Sequence, residues 1–175
     1  METFHRNDRL KVLSSLLPMK GDRALDVVCV ASFPILYGAL DFRSVLGINA
    51  HRPAIDRLRR DFLRPEWDFQ VRNVREWAPS GPFDAITLLH SAEHLDLYDL
   101  TKVLDKLAAA SKGTMVVETP EQYNTNERIA AAEGNPFEIH RSLVTAEYLA
   151  AWGFVPTARY LMDPPFSNMI YARNS

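Results

Sequence analysis

The sequence predicts a doubly wound α/β fold, with a mostly parallel seven-stranded sheet closed by a C-terminal antiparallel hairpin. Three observations predict it. The stretch Arg23 to Asn49, RALDVVCVASFPILYGALDFRSVLGIN, reads as a buried strand ending at Asp26, a tight turn, a short helix and a second buried strand. Short apolar runs then alternate with helical periods as far as Thr119. Finally, Val155 to Met162 and Asn168 to Arg173 read as two strands joined by Asp163-Pro164-Pro165-Phe166-Ser167. That connection is too short for a parallel crossover, so the last pair must be antiparallel.

Composition bounds what such a chain can do. Its 175 residues suit one domain over residues 1–175, with an N-terminal helix in 1–20 and the α/β core in 22–173. Apolar residues at 47% and charged residues at 24% are ordinary for a soluble globular protein. A net charge of −2 provides no global field for nucleic acid or anionic membrane. Cys29 is the only cysteine, which excludes an internal disulfide and a cysteine-only zinc site and fits a reducing compartment. No apolar run reaches membrane-spanning length, and the amino terminus METFHRNDRL is polar rather than signal-like. The expectation is a cytoplasmic protein whose partner is another protein or a small molecule, with no nucleic acid and no membrane.

The elements follow in order. Leu10, Leu13, Leu16 and Leu17 share one helical face over 6–17, with Asp8 near the start and Pro18 after the end. Lys20-Gly21-Asp22 is a turn, and Ala24, Leu25, Val27 and Val28 form the nearly continuous apolar run of a central parallel strand. Pro34 suits the first turn of a helix running through Leu36 to Leu40, before a second strand over Ser44 to Asn49. Pro53 starts the next helix, with Ile55, Leu58 and Phe62 inward and Arg57, Arg59 and Arg60 outward. Asp56 and Asp61 are interleaved there, so the arginines read as a solvated face rather than a nucleic-acid patch. Asp68 to Arg72 and Phe83 to His90 are the third and fourth strands. Leu100, Val103, Leu104, Leu107 and Ala108 then trace an amphipathic helix over 98–111, stopped at Gly113, and Thr114 to Thr119 is the fifth strand. Gln122 to His140 is the least regular stretch and reads as a mobile loop over the strand ends. Thr145 caps a helix that ends at Gly153.

Several stretches carry a resemblance. ALDVVC stands where a first-strand acid precedes a glycine-rich turn, and VLGIN-x-x-x-x-AI where the second strand gives way to a helix. FDAITLLHSAEHL carries Glu-His-Leu after the fourth strand, VVETP forms the fifth strand, and GNPFEIHRS precedes a helix ending in Gly-Phe. Together they resemble the class I S-adenosylmethionine-dependent methyltransferases, a Rossmann-like family, over about residues 22 to 173. The resemblance implies S-adenosylmethionine as cofactor. It places the cofactor-binding positions at Asp26, Val28, Val30, Asn49, Asn73 and His90.

This chain departs from the family at those positions. The family's turn glycines are replaced by Val28, Val30 and Ser32, its second-strand acid by Asn49, and the acid after its third strand by Asn73. A β-branched residue forced to positive φ is a steric outlier. Side chains pushed into ligand space cost about 1–3 kcal/mol each, and an amide in place of a carboxylate costs about 1 kcal/mol. A total on the order of 4–6 kcal/mol would weaken binding roughly 10³–10⁴-fold. The bland reading makes Val28 and Val30 core residues of a disused site; the sharper one has the turn hold the cofactor in a displaced way, or a more apolar ligand.

His90, Glu93 and His94 cluster after the fourth strand, where open α/β sheets present their sites. His94, His140 and Glu93 are the candidate catalytic groups, the histidines as bases near neutral pH. The structural reading of all three is preferred, because in the resembling subgroup the Glu-His pair recurs with very different substrates. No metal is expected, because H-x-x-E-H straddles a strand-to-helix turn instead of one helix face. Asp163-Pro164-Pro165-Phe166 resembles an amino-methyltransferase motif but stands in the wrong place, and Cys29 has no base adjacent in sequence. The expected function is that of a methyltransferase-like protein with a degenerate cofactor site, acting as a binding or scaffold subunit. The alternative is an active methyltransferase on a small metabolite or sugar-type substrate.

Overall fold

The computed structural model of the protein describes residues 2–5, 8–28, 33–161 and 167–175. Its strands are β1 (Glu2–His5), β2 (Lys20–Val27), β3 (Asp41–Asn49), β4 (Trp67–Val71), β5 (Phe83–Leu89), β6 (Ser111–Pro120), β7 (Val155–Leu161) and β8 (Ser167–Asn174). They form one sheet in the order β1-β7-β8-β6-β5-β2-β3-β4. Among the described residues six α-helices flank it: α1 (Arg9–Leu16), α2 (Phe33–Tyr37), α3 (Arg52–Asp61), α4 (Leu97–Ala110), α5 (Glu127–Glu133) and α6 (Ala146–Ala150). Strands β2 to β6 run parallel, and β8 pairs antiparallel with both β6 and β7. This is the doubly wound sheet and closing hairpin expected from the sequence, with eight strands where seven were expected.

Strand β2 shows why the sheet needs helices on both faces. Its last four residues are all buried, and alternate side chains join different cores. Leu25 and Val27 belong to the core under α4, whereas Ala24 joins Leu13, Leu36, Tyr37, Ile55 and Leu58 on the opposite face. On α4, Leu100, Val103, Leu104 and Leu107 are buried, as the helical period predicts. The Asp96 side chain caps that helix by accepting the Asp99 N–H at 2.8 Å. On α3, Ile55 and Leu58 are buried while Arg57, Arg59 and Arg60 are exposed. Arg59 donates to the Phe69 carbonyl and pairs with Asp56 at 3.9 Å, and Arg60 pairs with Asp61 at 2.9 Å.

The structure corrects four expectations. Lys20-Gly21-Asp22 is not a turn but the start of β2, paired to β3 from Lys20 opposite Asp41. Residues 2–5 form an edge strand parallel to β7 rather than a lead into the first helix, and that helix begins only at Arg9. Four residues are too few for alternation to stand out, yet they pair the open edge of β7. Gly113 does not end α4: the helix passes directly into β6 at Ser111, and Gly113 lies within the strand. A Cβ there would sit 2.2 Å from the Asp84 carbonyl oxygen, so the glycine permits the close approach of β5 and β6 at an irregular register. The stretch 122–140 contains α5 and a 3₁₀ turn over Pro136–Glu138 rather than loop alone. Gly134, in the left-handed region, closes α5.

Candidate functional site

The order of strands reverses between β5 and β2, which opens a crevice beyond their carboxyl ends. Val28, the first residue after β2, has φ +62. That is the backbone a glycine would supply, carried by a β-branched residue at a cost of about 1–3 kcal/mol. Its half-buried side chain packs on the core and lines a cleft of about 120 Å³ shared with Asn49, Asn73, Ser91 and His94. Val30, Ser32 and Cys29 lie outside the described residues, as does Asp163-Pro164-Pro165-Phe166.

The other predicted cofactor positions have turned to local partners. The buried Asn49 accepts the His51 backbone N–H on Oδ1 at 2.8 Å. Asn73 accepts the Arg75 N–H at 3.1 Å and donates to Glu76 at 3.2 Å, closing a turn after β4. Asp26 does not line the cleft. It lies on the face of β2 toward α2, where Thr87 donates to it at 2.5 Å and Tyr37 bonds Thr87 at 2.7 Å. Burial pushes the Asp26 pKa up to about 7, with the Thr87 hydrogen bond and the Arg9 charge opposing only in part.

His90 also stands apart from that cleft. Its φ of +51 turns the chain at the end of β5 and aims the ring across the sheet. Nε2 lies 3.0 Å from Glu118 Oε1, 3.1 Å from the Tyr160 hydroxyl and 3.2 Å from Asn168 Nδ2, and Nδ1 lies 3.4 Å from Glu93. Burial works against the charged ring, but the contact with Glu118 and the negative charges of Glu118 and Glu93 outweigh it and push the His90 pKa up to about 10. Glu118 is fully buried, and Arg9 grips it with Nε at 2.8 Å and a terminal nitrogen at 2.6 Å. Although burial alone would raise the Glu118 pKa, His90 and Arg9 hold it below the usual carboxylate range. Tyr160 donates to the same carboxylate, and Asn168 donates to Tyr160 at 2.5 Å. Sequence reasoning missed this network. Its signal was present in VVETP, where an acid inside an otherwise apolar buried strand needs a cation.

The three candidate catalytic residues do come together. Glu93, His94 and His140 offer ligand atoms within 4.8 Å of one another, a set that could hold a cation. The objection drawn from helix spacing does not apply, because His140 arrives from beyond α5. Among the described residues neither oxygen of the buried Glu93 carboxylate has a hydrogen-bond partner, and the His90 ring lies 3.4 Å from it. The His94 Nε2 lies 3.0 Å from the His90 carbonyl oxygen, and the His94 and His140 rings meet edge to face at 5.0 Å. Burial draws the His140 pKa below its ordinary value; the Glu93 charge opposes this, and the His94 and His90 charges reinforce it. The Glu93 carbonyl accepts the Arg141 and Ser142 N–H groups at 2.7 and 3.2 Å, fastening the 139–142 segment over the strand ends.

A family model described as a methyltransferase domain matches residues 13–153. No curated protein matches the chain significantly. Among solved structures, the N-methyltransferase NodS from Bradyrhizobium japonicum WM9 in complex with S-adenosyl-L-homocysteine superposes with a TM-score of 0.71 at 12% identity, over 97% of this chain and 86% of that one. Magnesium protoporphyrin IX methyltransferase (ChlM) from Synechocystis PCC 6803 gives 0.67 at 14%, covering 96% and 80%. A putative S-adenosylmethionine-dependent methyltransferase from Listeria monocytogenes gives 0.69 at 13%, covering 97% and 98%. At such identities the superpositions speak for the fold, and the domain match for the lineage. The chain belongs to the class I S-adenosylmethionine-dependent methyltransferase family.

Proposed function

We propose that this chain is a methyltransferase-fold protein whose cofactor cleft no longer takes S-adenosylmethionine, and that it serves as a non-catalytic binding or scaffold subunit in the cytoplasm. The observation that carries this reading is Val28, which keeps a glycine-type backbone at φ +62 while its side chain lines the cleft. The cleft of about 120 Å³ is below the roughly 300–1,000 Å³ of ordinary cofactor sites. Asn49 and Asn73 meanwhile bond their own backbone neighbourhood, and among the described residues no carboxylate lines the cleft.

Calorimetric titration with S-adenosylmethionine and S-adenosylhomocysteine tests the reading. No heat of binding is expected at about 100 µM ligand, because a dissociation constant near millimolar leaves the site mostly empty there. Saturable binding in the micromolar range would move the chain to the second reading, an active methyltransferase on a small metabolite or sugar-type substrate. One feature favours that alternative. A separate open cleft of about 1130 Å³, lined by His90, His140, Gln122 and Asn168, offers polar groups where a substrate would lie.

A further inference from the structure

The cleft beside Val28 has a distinctive charge pattern. Arg72, Arg75 and Arg141 line it together with Asn49 and Asn73, and no carboxylate does among the described residues. Arg75 is neutralised by Asp99 at 2.7 Å. Arg72 contacts only the neutral Gln70 side chain, at 3.2 Å, and the exposed Arg141 guanidinium has no hydrogen bond or ion pair among the described residues. Two uncompensated guanidiniums therefore border a site with no acid to receive a cation. The floor is apolar, made by Val28, Ile48, Val74 and Leu95. Ser91, which also lines the cleft, is 2% exposed, and its hydroxyl has no hydrogen-bond partner among the described residues.

We infer that this cleft binds a compact organic anion, one apolar ring on the floor with a carboxylate or phosphate group held by Arg72 and Arg141. The inference rests on the reading that S-adenosylmethionine has been lost from the cleft. Guanidinium forks match both oxyanions, and they bind most strongly beside a water-poor apolar surface. A cavity near 120 Å³ has room for about one aromatic ring, since engineered apolar cavities of about 150 Å³ take benzene. S-Adenosylmethionine, with a net positive charge, meets repulsion from the same arginines.

Calorimetric titrations of the full chain with phenyl phosphate, benzoate, phenol, inorganic phosphate and S-adenosylmethionine test the inference. Phenyl phosphate or benzoate should bind saturably, roughly tenfold or more tighter than phenol and inorganic phosphate, and more weakly as salt rises. The Arg72→Ala, Arg141→Ala double variant should lose that preference by roughly tenfold while melting at the same temperature, because both side chains are exposed. The inference is overturned if phenol or inorganic phosphate binds as well as phenyl phosphate, if the double variant binds normally, or if neither aromatic anion binds. In that last case, with S-adenosylmethionine also inert, the decayed-site reading survives alone. Micromolar binding of S-adenosylmethionine would overturn both.

Discussion

Val28 and Asp26 sit two residues apart, and each holds a conformation or protonation state that an unconstrained chain would avoid. At Val28, φ of +62 stores about 1–3 kcal/mol of strain. Glycine would release that strain but forfeit half-buried packing and add chain entropy of about 0.5–1 kcal/mol. The opposing effects are comparable, so Val28→Gly should change stability by less than about 1 kcal/mol in denaturant melts. A loss above about 2 kcal/mol would show that packing dominates. At Asp26 the folded pKa is raised to about 7 from an ordinary 3.8, so between these values the folded form holds the extra proton. Stability must therefore fall as pH rises through that window, by at most roughly 4 kcal/mol. Asp26→Asn should remove this fall, and parallel pH profiles for the two proteins would refute the assignment.

Among the elements, α4 is the best place to test the fold. Leu104 is fully buried within a face whose period of 3.6 shows in the sequence, and Leu104→Ala should cost about 2–5 kcal/mol by chemical denaturation. A neutral result would contradict the packing of α4 on the sheet. What was legible and what was not follows from length and range. The strands β2 to β6 and the closing hairpin announce themselves because apolar runs and helical periods are local signals. Strand β1 is invisible because its stabilising partner, β7, is more than 150 residues away and its own four residues carry no pattern. The role of Gly113 was misread for the same reason, since the atom it makes room for belongs to Asp84. The site divides similarly. Asn49 and Asn73 could be placed at strand ends from sequence, but their turn toward local amides could not. The meeting of Glu93 and His94 with His140 depends on how the chain after β6 folds back.

Across the whole molecule, one buried network joins parts of the chain far apart in sequence: Arg9 of α1, His90 after β5, Glu118 of β6, Tyr160 of β7 and Asn168 of β8. Its pH window follows from the two shifted groups. Glu118, held below its ordinary 4.5, contributes stability that is present above that value and lost as pH falls through the folded pKa. His90, raised from 6.5 to about 10, contributes stability fully present below about 6.5 and lost as pH climbs toward 10. The network is therefore strongest between about 4.5 and 6.5. Within that window Arg9 can be isolated. Its guanidinium is 17% exposed against a carboxylate with no exposure, so Arg9→Met strands part of a buried charge. With the His90 imidazolium still in place, the loss should be about 3 kcal/mol, the low end for a broken buried pair. Adding Glu118→Gln removes the stranded charge, so the double variant should be more stable than the sum of the two single changes predicts, by 1 kcal/mol or so. Denaturant melts of the four proteins at pH 6 measure that coupling directly. Simple additivity would mean that Arg9 reaches Glu118 only as a surface pair, and that α1 is held to the sheet by Leu13 and Leu17 alone.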